Sequence, residues 1–403
     1  MVFYANISMR NIAVTHFHRW TIGLIFCLTY TLAPAANAPK LPSPNTGISG
    51  VYEVMVGVDQ FAPDLGKPQS QGYANEAAIV RHFELFGFKE TKRASLGAAQ
   101  AKQIYGVDSP LTSIRMQNAG IDSHGLLRVL VWAKPLGPGV GYAPPETIGQ
   151  RLAVMMTADI IRIDDVFNDA RAAAQAWLPI TPVFADLFKL TAGTPDLQNR
   201  RVGVRESGVY GEWFNHVFFQ RYGYSIPGYG AVNPNSVLQG SEFTHHDFMI
   251  DTDINSSTDY YQTVLGFKAE NDGVLDGDWL EGPKKVFGMP DGGSHFYRGF
   301  VSPNNICGKL KFFAPRDIRA NRAQHQRVGE LGITLHSLFT DKLDALHAAV
   351  KRAGFKPSTL QNNEFAERSF TFTGPDGATW QILALNSLPK NIAVTELKIV
   401  KTP

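Results

Sequence analysis

In GEWFNHVFF, residues 211–219, Glu212, Phe214 and His216 recur at every second position, so an extended backbone sets all three on one face. A carboxylate and an imidazole so placed can form half of a metal site or an acid–base pair, and such a pair is also an ordinary polar contact. Elsewhere the residues able to do chemistry stand singly on strand-like runs. Glu53 is the one charged side chain in VYEVMVGV, 51–58, where a charge is costly unless paired. HGLLRVLVW, 124–132, opens on His124 and carries Arg128, which can hold a carboxylate ligand or serve as an ion-paired strand residue. His245 and His246 are adjacent, so on a strand they face opposite ways. Cys307 lies in SPNNICGK without a neighbouring histidine to activate its thiol, and it reads as structural. MPDGGSH, 289–295, reads as a turn, with His295 a remote ligand candidate. There is no glycine-rich phosphate loop and no G-x-S-x-G elbow.

The elements that must position these residues come from the wider pattern. The chain has 403 residues, 44% apolar and 18% charged, as in a folded globular protein of two domains or one large one. Residues 1–38 read as a secretory signal: Arg10 and Arg19, an apolar run from Thr21 to Leu32, then APAANA with cleavage after Ala35 or Ala38. The run is too short to span a bilayer. The expected location is therefore periplasmic or secreted, with no integral membrane segment once the signal is removed. Its loss takes two arginines and no acids, so the formal charge falls from +2 to zero. That balance excludes a basic nucleic-acid footprint. Cys307 is then the one remaining cysteine, which excludes an internal disulfide.

Gly-Phe-Lys occurs at 87–89, 266–268 and 354–356, each time closing an amphipathic stretch. The second and third copies are 88 residues apart, and the first and second 179, about twice that. A fourth unit is expected near residue 175, where ADIIRIDDVFNDARAAAQAWLPI keeps the element order without Gly-Phe. Each unit opens on a strand: 51–58, 154–163, 245–250 and 332–339. A helix follows. In the third unit Asn255, Ser256 and Ser257 are expected to cap it, and Tyr260, Tyr261, Val264 and Leu265 form its buried stripe. Glycine at the end accepts the left-handed conformation that terminates a helix. Extended runs come next, and in the last unit PDGA joins RSFTFTG to TWQILAL as a hairpin. The unit is therefore β-α-β-β-β, present four times.

HHDFMIDTDINSSTDYYQTVLGFK, and GITLHSLFTDKLDALHAAVKRAGFK followed by FTFTGPDGATWQIL, resemble the vicinal oxygen chelate superfamily of glyoxalase I, extradiol dioxygenases and bleomycin-resistance proteins. The resemblance is good over 243–385, weaker over 49–140 and faint over 150–222. It implies an α+β fold in which four βαβββ modules make two paired, curved-sheet domains. These would be an N-terminal domain of two divergent modules, 49–226, a linker, 227–242, and a C-terminal domain, 243–390. It also implies a cavity with a divalent metal held by first-strand histidines and a last-strand carboxylate. The family's first-strand histidine position falls on His246, which would face inward, with His245 outside. In the fourth module the same offset falls on Thr334, and His336 lies two residues on. The last-strand position is Gln381, which brings no charge. The implied ligand set is His246, His336 and Gln381, suited to Zn, Fe, Mn or Ni, with Glu212 and His216 as second-site candidates.

The resemblance implies metal-dependent lyase, isomerase or dioxygenase chemistry on a small oxygen-rich molecule, and Gln381 speaks against the dioxygenase. The alternative is a binding or sequestering protein, its pocket lined by aromatics such as Phe296, Tyr297, Phe312 and Trp380. The partner is a small molecule in either case. Four fused modules can pair internally, so a monomer or a homodimer is expected.

Overall fold

A computed structural model describes residues 44–61, 75–185, 202–251, 253–276, 281–289, 293–303, 308–316, 320–388 and 400–401. The signal-like segment 1–38, Cys307 and the centre of MPDGGSH lie outside the described residues.

The four units fold as four modules. The first holds β1 (Glu53–Asp59), α1 (Glu76–Leu85), β2 (Lys89–Leu96), α2 (Ala98–Tyr105), β3 (Leu111–Gln117) and β4 (Leu126–Trp132). The second holds β5 (Arg151–Thr157), α3 (Ile160–Ala172), β6 (Trp177–Pro179), β7 (Val183–Ala185), β8 (Gly203–Gly211) and β9 (His216–Tyr222), with the short β10 (Tyr224–Ser225) after it. The third holds β11 (Gly240–Met249), α4 (Ile254–Thr258), α5 (Tyr260–Thr263), β12 (Lys268–Asp276), α6 (Glu281–Val286), β13 (Ser294–Val301) and β14 (Lys309–Pro315). The fourth holds β15 (Gly332–Thr340), α7 (Leu343–Arg352), β16 (Gln361–Asn362), β17 (Arg368–Thr373) and β18 (Thr379–Ala384), and β19 (Val400–Lys401) pairs with β10.

The helix ends bear out the repeat. Gly87, Gly266 and Gly354 have φ of 100°, 82° and 91°, and the second module puts Ala174 at φ 61° in the equivalent place. The aromatics after the first two glycines, Phe88 and Phe267, are fully buried. The hairpin between β17 and β18 forms as expected. Three local expectations fail. Residues 160–163 open α3 and do not extend β5, because Asp159 caps there, accepting from the Arg162 amide. In the third module Asp253 takes the cap, accepting from the Ser256 amide, and the expected helix breaks into α4 and α5. β11 begins at Gly240, inside the expected linker.

Two curved sheets appear, each shared by two modules. The partners differ from the sequential pairing expected. The eight-stranded sheet runs β16-β17-β18-β15-β1-β4-β3-β2, joining the first module to the fourth. The nine-stranded sheet runs β12-β13-β14-β11-β5-β9-β8-β6, with β7 on β8, joining the second to the third. In both, the seam is an antiparallel pair of first strands, β1 with β15 and β5 with β11. Every module offers the same free edge, so a repeat fixes the unit without fixing its partner.

The long helices cover one face of each sheet, while α2 packs with Met55, Leu130 and Leu335 on the opposite face of the eight-stranded sheet and the short α6 lies on that of the nine-stranded one. α1 and α3 pack with Val54, Val56, Met155 and Phe218 in one core. α5 and α7 pack with Phe248, Phe312, Leu338 and Trp380 in another. The opposite faces, here the inner faces, carry most of the buried polar side chains considered below. Among the described residues no helix is long and apolar enough to cross a membrane.

Candidate active site

On the inner face of the eight-stranded sheet, Glu53 lies at the seam, fully buried. Its Oε1 accepts from Arg115 Nε at 2.6 Å and Arg128 Nε at 3.0 Å, and its Oε2 accepts from Arg128 Nη2 and from Ser337 Oγ at 2.7 Å. Arg128 Nη1 donates to Gln381 Oε1 at 2.8 Å and to Glu364 Oε1 and the Tyr105 hydroxyl, both at 3.2 Å. Arg115 holds Glu367 through two parallel bonds of 2.6 and 2.9 Å. Phe365 closes this cluster, its ring 4.5 Å from the Arg115 guanidinium carbon and 5.0 Å from that of Arg128. Burial pushes the Glu53 carboxyl up, but Arg115 and Arg128 outweigh it and hold it at about 2. The face is closed and internally neutralised.

The inner face of the nine-stranded sheet is built differently. β11 alternates His245, Asp247 and Met249 inward, and β14 brings Lys311 directly opposite Asp247. β8 adds Glu206 and Tyr210, both buried. Lys311, half-buried, lies 3.2 Å from His245 Nε2. An ammonium can only donate, so Nε2 accepts and the ring proton belongs on Nδ1, beside Thr244 Oγ1 at 3.1 Å. Asp247 Oδ1 has no hydrogen-bond partner among the described residues. Burial raises Asp247 to about 7 against the pull of Lys311. Glu206 also rises to about 7, through burial first, opposed by Lys311 and reinforced by Asp247. Burial, then Lys311 and other cations, keep His245 neutral, its pKa well below the usual imidazole range.

A second pair lies farther along the same sheet. His295 Nε2 meets Glu146 Oε1 at 2.6 Å, both side chains buried. Apolar groups fill the remainder: Met249, Phe287, Tyr297 and Phe313 share one cluster. α6 and Phe287 lie over this face, and the Tyr210 hydroxyl donates to the Val286 carbonyl at 2.8 Å. Gly208 permits that approach, since a Cβ there would come within 3.1 Å of the same carbonyl.

The residues expected from the sequence fall in four places. His246 and His336 do meet, ring centres 5.1 Å apart, but on the helix-covered side between the sheets. The alternation along β11 places His245 inward and His246 outward, the reverse of the expectation. Gln381 lies on the opposite face of its sheet, bonded to Arg128, Tyr105 and Ser369. His246, His336 and Gln381 therefore do not share one site. Glu212 lies in the turn between β8 and β9, not on a strand face. His216 faces the helices, where its Nε2 lies 2.9 Å from His82 Nε2 inside an aromatic cluster. Phe312 and Trp380 are helix-side core, while Tyr297 does line the inner face.

The inner faces do not fit a resident divalent metal. The Arg128 guanidinium fills the point where Glu53, Ser337 and Gln381 converge. In the other sheet the His245 nitrogen faces an ammonium. Among the described residues no three His, Cys, Asp or Glu side chains are grouped to hold an ion. Asp247, Glu206 and Lys311 were missed in the sequence. The signal available was the parity of HHDFM: if His245 faces inward, so does Asp247.

Residues 244–382 match the model of the Glyoxalase/Bleomycin resistance protein/Dioxygenase superfamily. No curated protein matches the chain. Similar solved structures include a Bacillus subtilis protein assigned to the dioxygenases, 10% identical, covering 87% of this chain and 89% of its own, with a TM-score of 0.49. Glyoxalase I from Zea mays is 12% identical over 84% of this chain and 93% of its own, TM-score 0.43. The antibiotic binding protein TnmS3 from Streptomyces sp. CB03234 is 14% identical over 35% of this chain and 93% of its own, TM-score 0.23.

Proposed function

With residues 244–382 belonging to the glyoxalase, bleomycin resistance and dioxygenase superfamily, we propose that the inner face of the nine-stranded sheet binds a small oxygen-rich molecule and moves a proton on it. Lys311 anchors an anionic oxygen of the substrate. Asp247, with a proton affinity near neutral pH, takes or returns the proton. Glu206 keeps the pair from ionising together, as two neighbouring carboxyls in a dry site must. His245 fixes the ammonium in place through Nε2. This is lyase or isomerase chemistry run by side chains. The observation that carries the reading is the buried, unpartnered Asp247 Oδ1 beside an ammonium.

The test is deuterium exchange from solvent into a panel of 2-hydroxy and 2-oxo carbonyl compounds, followed by proton NMR. Wild-type protein should exchange at least one of them, and Asp247→Asn should lose about a hundredfold or more of that rate. Exchange equal in both proteins would remove Asp247 from the reaction.

A second reading rests on the lining by Phe287, Phe313, Tyr297 and Met249, which suits an aromatic guest held without turnover. Tight binding of such a guest with no exchange on any compound would favour it. We also propose that the chain is exported. Mass spectrometry of the mature protein should then find it shortened by 35 or 38 residues, and an intact N-terminus would refute export.

A further inference from the structure

The junction between the two sheets holds four buried side chains whose polar atoms lack partners among the described residues. These are both ring nitrogens of His246, Nδ1 of His336, Oγ1 of Thr334 and Nε of Arg151. They are neighbours. The His246 and His336 rings are 5.1 Å apart. Arg151 and Ala153 pair with Phe248 and His246 across β5 and β11, so Arg151 is diagonal to His246 over the smallest side chain in the strand. Phe248 touches both ends of the group, 5.0 Å from His336 and 5.9 Å from the Arg151 guanidinium carbon. Thr334 lies two residues before His336, at the point where the pairing of β15 with β1 shifts register, and its Oγ1 is buried there.

Arg151 decides what such a place can hold. It is 3% exposed, yet among the described residues its guanidinium donates only to neutral oxygens: Gly377 O at 3.1 Å, Gln326 Oε1 at 3.3 Å and Ile333 O at 3.5 Å. A buried guanidinium without an adjoining carboxylate is costly, and burial lowers its pKa to about 10 even with Asp376 nearby. Arg151 also borders a separate crevice of about 20 Å³, lined by Gly149, Glu212, Trp213, Asn215 and Ile333 and by neither histidine of the group. No carboxylate competes with Arg151 in the group, and its other members are imidazoles and a hydroxyl, all able to donate.

We propose that this junction binds a small inorganic anion of about the size of chloride, held by Arg151 Nε, the two imidazoles and the Thr334 hydroxyl. Arg151 and His246 come from the nine-stranded sheet, and His336 and Thr334 from the eight-stranded one. The anion therefore ties the two sheets together. His246 and His336 keep a ligand-binding part, but the neighbouring arginine makes the ligand negative.

Two measurements on the full-length protein test this. Crystals soaked in sodium bromide should show an anomalous peak within hydrogen-bond distance of Arg151 Nε and an imidazole nitrogen of His246 or His336. Thermal unfolding in sodium chloride should exceed that in sodium gluconate of equal ionic strength by about 3 °C or more, saturating with concentration. Arg151→Gln should abolish the difference, and if that variant fails to fold, His336→Phe should reduce it. Water alone at the junction, or halide peaks only at other surfaces with equal unfolding in both salts, would overturn the proposal.

Discussion

On the inner face of the eight-stranded sheet, Glu53 is met by two arginines; on the inner face of the nine-stranded sheet, Asp247 faces one half-buried lysine. The bonding differs because the cations differ. A guanidinium carries five donors in a fixed fork, and Arg128 uses them on Glu53, Glu364, Gln381 and Tyr105 together. An ammonium is a point charge on a flexible stem, and Lys311 reaches His245 while leaving Asp247 Oδ1 unpartnered. Full satisfaction gives a low carboxyl pKa and a rigid, closed face. Partial satisfaction gives two carboxyls that titrate near pH 7 and remain able to meet a ligand.

The contrast breaks most visibly at the arginine. Arg128→Met should destabilise the protein by about 3–5 kcal/mol in urea or thermal unfolding, because it strands buried carboxylates. Lys311→Met, which breaks no ion pair within 4 Å among the described residues, should change stability by about 1 kcal/mol or less while abolishing ligand binding. Equal losses in the two variants would mean that the faces are not energetically distinct.

Asp247→Asn sharpens the comparison through pH. The folded carboxyl keeps its proton up to about 7, whereas the unfolded one releases it near 3.8. Between those values the unfolded state binds fewer protons, so this group's contribution to stability falls as pH rises from about 4 through 7. The asparagine variant should escape that fall and gain on the wild type between pH 5 and pH 8. Histidines act in the opposite direction. Burial, then the nearby His82, hold His216 well below its ordinary pKa, so stability is complete above about 6.5 and is lost as pH drops. His216→Phe, in a cluster already built of Phe214 and Phe218, should flatten that acid loss by up to about 1.4 kcal/mol per pH unit.

The smallest effect tests the repeat itself. Ala174 adopts the left-handed conformation that its three counterparts give to glycine. Ala174→Gly should therefore stabilise by about 0.5–1 kcal/mol, and Gly354→Ala should cost about as much.

The modules were legible because they are local. Glycine at each helix end, the alternating strands and the Pro-Asp-Gly hairpin state their conformations within a few residues. Module partnership was not, because four similar edges compete and long-range packing chooses between them. The site proposed here lies one residue from the position that the sequence suggested. His245 and His246 carry the same chemistry, and only the strand's orientation in the sheet separates the inner face from the helix-covered one. Arg128 was read as a strand residue with either a ligand or an ion-pair role; that its guanidinium fills the convergence point of four strands needed their register.

The proposed proton transfer requires Asp247 to be a buried carboxyl poised near neutrality in the ligand-free protein. Its titration can be followed as the difference between the carboxylate infrared bands of wild-type protein and Asp247→Asn, from pH 3 to pH 9. Loss of the proton near pH 7, shifting when Lys311 is replaced by methionine, is the result expected. Loss of the proton near pH 4, unmoved by that replacement, would contradict it.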